Sequence, residues 1–510
     1  MNDFLNNVAI IKEFLSNGVF LAVVMFCGIY FSIRMIFPQF RLIKQSFKAM
    51  VDTSDSKDGI SPFQAFATAL GSRVGVGNIA GIASAISIGG PGAIFWIWVF
   101  GFFASGLAIA ESIAGQIYKI KDKDEYLGGP AFYIEHLFGG AKFSKVLAFI
   151  YAVIGVVGIG LFLAGVQSNT VVDSIVGGFN TDKIITIIVT ALCVAVIIWG
   201  GIKRIGKFEG VFTPIKCFAY LFLAIFTIGY FHENIIPAFV TIFNSAFSLN
   251  AIFGGLAYQA IMMGIRRGIF STDVGYGAGA AFSAVARTDH PVKQGLLQSL
   301  SILISTLIIC TLSALILMTS DAFAVFNPGD GTSYIYFGQN AVSSAAGATW
   351  IQAGLNSVPI LNGWAPKLIA CLIAIFAAGT IIGYYYLAEN NLRYIMRKIM
   401  PRAEKKFKVD SQGLKTKTKW IVNDKIVVNA LKIIFLAGMI FSTFISPDAV
   451  WDFADIGLAV LCWINLFCLI IMSPKIIKVI NDYSRDLRKG ITPKFDPADY
   501  GFEDTTGAWK

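Results

Sequence analysis

Long apolar stretches alternate with short polar ones along the whole chain, and the apolar stretches have the length of membrane crossings. Crossing a ~30 Å hydrocarbon layer as an α-helix takes about 20 residues. Eleven spans meet that requirement, at approximately 14–36, 63–87, 93–118, 144–170, 184–201, 208–230, 252–285, 294–319, 366–396, 427–445 and 449–473. Two of them break the plain apolar pattern. Span 63–87 contains GSRVGVGNIAG, with Gly71, Gly75, Gly77 and Gly81. Span 252–285 contains MMGIRRGIFSTDVGYGAGAAFSA, with Gly264, Gly268, Gly275, Gly277 and Gly279. A bilayer does not tolerate unpaired backbone N–H and C=O groups where lipid touches them, so backbone that leaves the helix at membrane depth lines a protein cavity. Glycines are where a helix opens most readily. Close helix packing through small residues is the simpler use of one such stretch.

The placement of the two stretches favours opening. Setting aside the first span leaves ten, or five plus five, and the Gly-rich spans are the first of each five. An odd number per half gives the halves opposite orientations, the inverted-repeat plan of many secondary transporters. The organisation expected is an N-terminal span and linker over 1–60, a first repeat over 61–231, a second over 232–473 and a cytoplasmic tail over 474–510.

Composition agrees with a polytopic membrane protein. Of 510 residues, 56% are hydrophobic and 14% charged, against about 25% charged in soluble proteins. The net charge of +10 is not a nucleic-acid footprint, because Lys and Arg fall in alternate short loops. One side carries Arg34, Arg41, Lys44, Lys48 and Lys57, then Lys119, Lys121, Lys123, Lys142 and Lys145, then Lys203, Arg204 and Lys207, then Arg287 and Lys293, then the loop 393–425 and the tail. The long loop 320–364 has neither residue type. This asymmetry places the N-terminus outside and the C-terminus in the cytoplasm of the cell membrane. MNDFLNNVAIIKEF lacks the basic start of a cleavable signal peptide. Seven cysteines, none in a CxxC, read as buried small residues, and three histidines are far apart. Neither a metal site nor a disulfide framework nor a catalytic cluster is expected, and the chain reads as a transporter rather than an enzyme.

Several polar residues inside the spans are candidates for chemistry. Opened backbone from Gly75 through Val76 and Gly77 to Asn78 presents N–H groups to an anion such as a carboxylate. Asn78 adds a hard oxygen suited to Na⁺, or an interhelical hydrogen bond. Asp273, in STDVG, is an intramembrane carboxylate, a functional hypothesis by default. Arg266 and Arg267, about two turns away, form a structural ion pair with it, or Asp273 takes up a coupling proton. Glu111 reads as a snorkelling or packing group. Gln167 offers donor and acceptor to a substrate or to a neighbouring helix. Thr380 offers a hydroxyl, or bonds back to its own helix. Tyr384, Tyr385 and Tyr386 wall a small pocket or anchor an interface. Asp452 and Asp455 read as structural or gating residues.

The ordered series SPFQAFATALGSRVGVGNIAGIASAISIGGPGAIFW, GGPAFYIEHLFG, GVQSN, GGIKRIGK, GIRRGIFSTDVGYGAGA with HPVKQGL, GTIIGYYY and VWDFAD resembles the alanine or glycine:cation symporter family. This is a branch of the amino acid–polyamine–organocation transporters with the LeuT-type fold, and the likeness covers most of 61–472. It implies an all-α polytopic membrane protein with a 5+5 inverted repeat and one additional N-terminal helix. It also implies Na⁺- or H⁺-coupled uptake of small neutral amino acids, with substrate against Gly75, Gly77, Asn78, Gln167, Phe270 and Ser271, and Na⁺ between the carbonyls of Gly71 and Val74 and the Thr380 hydroxyl. The chain departs from the family's usual Thr at Val76, Asn-Glu-Ala at Thr272-Asp273-Val274, and Trp-Ser-Tyr at Tyr384-Tyr385-Tyr386.

The expectation is a symporter, acting as a monomer, that takes up alanine or glycine with Na⁺ by alternating access. H⁺ coupling of another small amino acid is the alternative within the class. A channel is disfavoured by the paired breaks, and a membrane enzyme by the scattered His and Cys.

Overall fold

A computed structural model describes residues 2–51, 58–247, 254–329, 331–343, 347–399, 424–445 and 447–509. Lys57 and most of the basic loop 393–425 lie outside them. The fold is an all-helical bundle. In chain order its main helices are α1 (Asn2–Leu15), α2 (Gly18–Arg34), α3 (Pro62–Arg73), α4 (Ala80–Gly89), α5 (Gly92–Ile117), α6 (Lys142–Phe179), α7 (Lys183–Ile198), α8 (Gly201–Tyr230), α9 (Ala257–Thr272), α10 (Ala278–Ala284), α11 (Pro291–Thr319), α12 (Ala365–Ile399), α13 (Asp424–Ser442) and α14 (Pro447–Arg488). Two short antiparallel hairpins join helices, β1 (Ile120–Asp122) with β2 (Glu125–Leu127), and β3 (Ala324–Phe326) with β4 (Tyr334–Phe337).

Among the described residues, eight helices are long and apolar enough to cross a membrane, against eleven spans in the sequence pattern. The other three expected spans have physical reasons to fall short. Two are the Gly-rich ones, divided into α3 and α4 and into α9 and α10. The third is α7, at 16 residues.

The breaks differ in kind. Ser61 and Gln64 start α3 with reciprocal caps, each side chain on the other's backbone N–H. The helix stops where Gly75 turns extended (φ −117°, ψ −159°), and a single 3₁₀ turn, Val76–Asn78, leads into α4. The second break runs through left-handed backbone, with φ of 50° at Asp273, 101° at Gly275 and 85° at Gly277. Glycine suits the last two, because left-handed backbone strains a residue with a Cβ.

Helix α5 threads the bundle beside both broken helices, on small-residue contacts. A Cβ on Gly115 would sit 2.4 Å from the Ala280 carbonyl, and one on Gly101 2.3 Å from Thr306 Oγ1. Helices α6 and α11 each carry a π-helical stretch, Gly155–Leu163 and Ile304–Cys310.

The loops rich in Lys and Arg gather at one end of the bundle, here called the basic end. There a bridge between Ile60 and Ala286 ties the start of α3 to the end of α10. Helix α14 runs well past its expected end at 473, through Pro474 to Arg488. The tail then folds back: Phe495 packs on His290, Tyr500 and Trp509, and Trp509 covers the Lys119 ammonium at 4.1 Å.

The cysteine expectation needs correction. Cys27, Cys310, Cys462 and Cys468 are buried, but Cys193 and Cys371 are exposed. The outer surface of this bundle is itself apolar, with residues such as Ile188, Leu192 and Phe222 more than half exposed, so an apolar run does not imply burial.

Candidate functional site

The site forms where the two breaks meet, walled by α6, α11 and α12. At the first break, the Val76 N–H donates to Gln167 Oε1 of α6 (3.4 Å). Gly75 faces Thr380: a Cβ there would stand 2.4 Å from Thr380 Oγ1 and 3.3 Å from Gln167 Oε1. Thr380 Oγ1 donates to the Ser72 carbonyl (2.8 Å), an interhelical bond, with a longer 3.4 Å contact to Phe376 O of its own helix. Asn78 is fully buried. Its Nδ2 donates to Ser271 Oγ (3.0 Å) and Ser305 Oγ (2.7 Å), while its backbone carbonyl accepts from Ser313 Oγ (2.7 Å). Among the described residues, Asn78 Oδ1 is a buried acceptor with no partner. Gly75, Val76, Asn78, Gln167, Ser271 and Thr380, chosen from separate segments, therefore lie together. Phe270 stands at the rim of this cluster, edge-on to Trp451 (5.2 Å between centroids).

The cation residues are arranged differently from expectation. Gly71 O, expected to face Na⁺, accepts a hydrogen bond from Lys216 Nζ of α8 (3.1 Å). Val74 is fully buried directly before the extended Gly75.

The expected pairing of Asp273 with Arg266 or Arg267 is not made. Asp273 Oδ1 accepts from Tyr276 OH (2.7 Å) and Tyr384 OH (3.2 Å), and Oδ2 from Ser72 Oγ (3.0 Å). Left-handed backbone at Asp273 ends α9 and turns the carboxylate toward α3, away from the two arginines one helix-turn and more behind it. Arg266 donates to Ser16 O, and Arg267 to Ser84 Oγ (2.9 Å) while lying over the Trp451 ring. Tyr384 thus spends its hydroxyl on Asp273, and Tyr386 OH reaches Ala281 O (3.4 Å); both are buried rather than interfacial anchors.

Glu111 is packed, not snorkelling. Its Oε1 accepts from the N–H groups of Gly275 (2.9 Å) and Gly277 (3.1 Å) and from Asn465 Nδ2 (2.9 Å). A carboxylate thereby satisfies the free donors of the second break. Asp452 pairs with Lys12 of α1 (2.6 Å).

Three charged residues escaped the sequence reading. Arg73, buried at the end of α3, donates to Thr272 O (2.7 Å) and Gln298 Oε1 (2.7 Å), joining the first break to the second and to α11. Lys216 and Glu209, on one face of α8, are 1% and 0% exposed. Each is a charge inside an apolar span, the signal by which Asp273 was found.

Accessibility is one-sided. Gly77, Ala80, Ser84, Arg267 and Phe270, at the breaks or on the side away from the basic end, keep partial exposure. Residues 65–76 and 271–286, toward the basic end, are buried throughout.

A model of the sodium:alanine symporter family matches residues 1–409 and 413–497. A putative sodium/proton-dependent alanine carrier protein of Bacillus subtilis (strain 168) is 34% identical, over 93% of this chain and 92% of its own. A probable sodium/glutamine symporter of the same organism is 32% identical over 96% and 92%. A sodium/alanine symporter of Methanococcus maripaludis is 33% identical over 77% and 84%. Among solved structures, that of MhsT in complex with L-phenylalanine superposes with a TM-score of 0.55 over 83% of this chain and 99% of that one, at 12% identity, which supports the LeuT-type architecture and nothing finer.

Proposed function

We propose a transport cycle for this chain, which belongs to the sodium:alanine symporter family. It is a multi-pass membrane transporter of the cation-coupled amino-acid symporter class, not an enzyme. The finer reading is uptake of a small neutral amino acid, alanine or glycine, by alternating access. The substrate carboxylate is held at the 75–78 turn, where Gly75 N–H now donates to Arg73 O, Val76 N–H to Gln167 Oε1 and Asn78 N–H to Gly75 O, and the pocket is completed by Gln167, Phe270 and Ser271. The observation that carries this is the non-helical stretch at Gly75–Asn78, held open by Thr380 and Gln167 and partly exposed at Gly77.

In this reading the basic end is cytoplasmic, the N-terminus is outside, and the side of the breaks with partial exposure is the external entrance. Rocking of the helix bundle around the site then exposes it to the cytoplasmic side. Relatives' printed names give the cation as sodium or as sodium and proton. Na⁺ at Gly71, Val74 and Thr380 is the simplest assignment for the family, although Gly71 O already has a donor here.

A competition panel against radiolabelled L-alanine uptake in proteoliposomes tests the substrate. Glycine and L-alanine should compete and L-phenylalanine should not. Absence of saturable uptake of any small amino acid under either a Na⁺ or an H⁺ gradient would end this reading.

A further inference from the structure

A side-chain ammonium stands where the cation is expected. Lys216 Nζ donates to Gly71 O (3.1 Å) and lies 3.7 Å from Glu209 Oε2. Thr213 Oγ1 lies 2.5 Å from Glu209 Oε2 and 3.0 Å from Ala67 O of α3, with one hydroxyl proton between the two acceptors. The seat is fitted to the pair. A Cβ on Gly379 of α12 would lie 2.3 Å from Nζ, and a Cβ on Gly71 2.1 Å from Glu209 Oε2. Gly379 directly precedes Thr380, the third expected cation residue. Three helices therefore converge on one monovalent positive charge, which is bonded to the carbonyl a bound Na⁺ would need.

A compact ammonium and Na⁺ carry the same charge and compete for the same oxygens. An intramembrane ion pair is costly and defaults to a functional hypothesis. The other groups around Nζ are few. Helix α8 contributes Glu209, Cys217 and, a turn on, Tyr220, whose hydroxyl is engaged with Ser313. Helix α12 contributes the Phe376 ring at 5.6 Å. Arg73 of α3 is directed away, to Thr272 and Gln298.

We propose that Lys216 is the resident cation of this place, so that the chain takes no Na⁺ there. This rests on the symporter reading above and withdraws Gly71 O from its Na⁺ site. The contacts of Nζ to Gly71 O and Glu209 tie α3 to α8.

Two measurements on purified full-length protein test this. In proteoliposomes, L-alanine counterflow by the wild type should be the same within twofold in Na⁺ and in K⁺. Counterflow that requires Na⁺, or accumulation by the wild type under a Na⁺ gradient alone, would overturn the proposal. The second measurement needs no substrate: thermal stability in NaCl against KCl. The wild type should show no difference, and Lys216→Ala, which frees Gly71 O and Glu209, should gain a Na⁺-specific rise. A saturable Na⁺-specific rise in the wild type would overturn the proposal even if the variant does not fold. Failure of counterflow in the wild type would count against alanine as substrate, and the stability comparison would still decide the cation.

Discussion

Glu111 should matter for holding the second break rather than for touching substrate, and its replacement tests this directly. Its Oε1 accepts three buried donors, the N–H groups of Gly275 and Gly277 and Asn465 Nδ2, at 2.9–3.1 Å. Glu111→Ala leaves all three without an acceptor in a place with no exposed surface. Each stranded donor costs about 1–3 kcal/mol, so a loss of roughly 3–6 kcal/mol is expected after partial relaxation. That is a large part of the ~5–15 kcal/mol by which folded proteins are stable. Glu111→Gln keeps an acceptor oxygen at the same reach and should lose far less. The assay is heating of detergent-solubilised protein followed by size-exclusion of the surviving fraction. At about 2 °C per kcal/mol, the alanine variant should melt roughly 6–12 °C lower, with the glutamine variant within a few degrees of wild type. An alanine variant within 2 °C of wild type would refute the capping role. Equal losses in both variants would refute it too, by moving the cause from lone pairs to the negative charge facing Arg73.

Three further outcomes are expected. Gly75→Ala places a methyl 2.4 Å from Thr380 Oγ1 and should reduce alanine uptake at least tenfold, about 1.4 kcal/mol of transition-state stabilisation, while surface expression measured by labelling persists. Arg73→Met strips the donor from Gln298 and Thr272 and leaves the acids beside it uncompensated; truncating one partner of a buried charge network costs about 3–5 kcal/mol, which the same heating assay reads as a marked loss. His290 caps α11 by accepting the Val292 N–H at Nδ1 (3.2 Å), and burial pushes its pKa down from 6.5 to about 3. The unfolded chain takes up a proton there below about pH 6.5 and the folded one does not, so this contribution is complete above 6.5 and declines toward pH 3 at up to about 1.4 kcal/mol per unit. His290→Asn keeps a capping oxygen and should flatten the slope between pH 6.5 and 4.5, measured as melting temperature.

The two breaks were legible because they violate the pattern around them: glycines and an acid stand where a bilayer asks for uninterrupted apolar helix. Their order in the two halves then pointed to one shared site, and Gly75, Val76, Asn78, Gln167, Ser271 and Thr380 do gather there. Partners across helices were not legible. Asp273 and Arg266–Arg267 look like neighbours on a helical wheel, but the wheel assumes a continuous helix, and the left-handed residue that ends α9 is Asp273 itself. The serines of α11 that meet Asn78 carried no signal either, since an isolated Ser in an apolar span is as often bonded to its own turn, as Ser313 also is (3.1 Å to Ile309 O).

Lys216 and Glu209 were missed for an instructive reason. Helix α8 is long and apolar enough to read as an ordinary span, and that reading passes over the charges it contains. The two sit seven positions apart, two helical turns on one face, with Thr213 between them. That register separates a buried pair from two interfacial residues snorkelling to opposite ends. Gly71 and Gly379 complete the argument from the other side. Neither glycine sits at a positive φ, so backbone freedom does not call for them. Each is open on the side where the Lys216–Glu209 pair fits and where a Cβ would collide with it. A glycine in a regular helix that faces a buried ion pair therefore marks a seat for that pair. Gly71 fills two roles: its carbonyl is the expected cation ligand, and its missing side chain admits the charge that takes the cation's place.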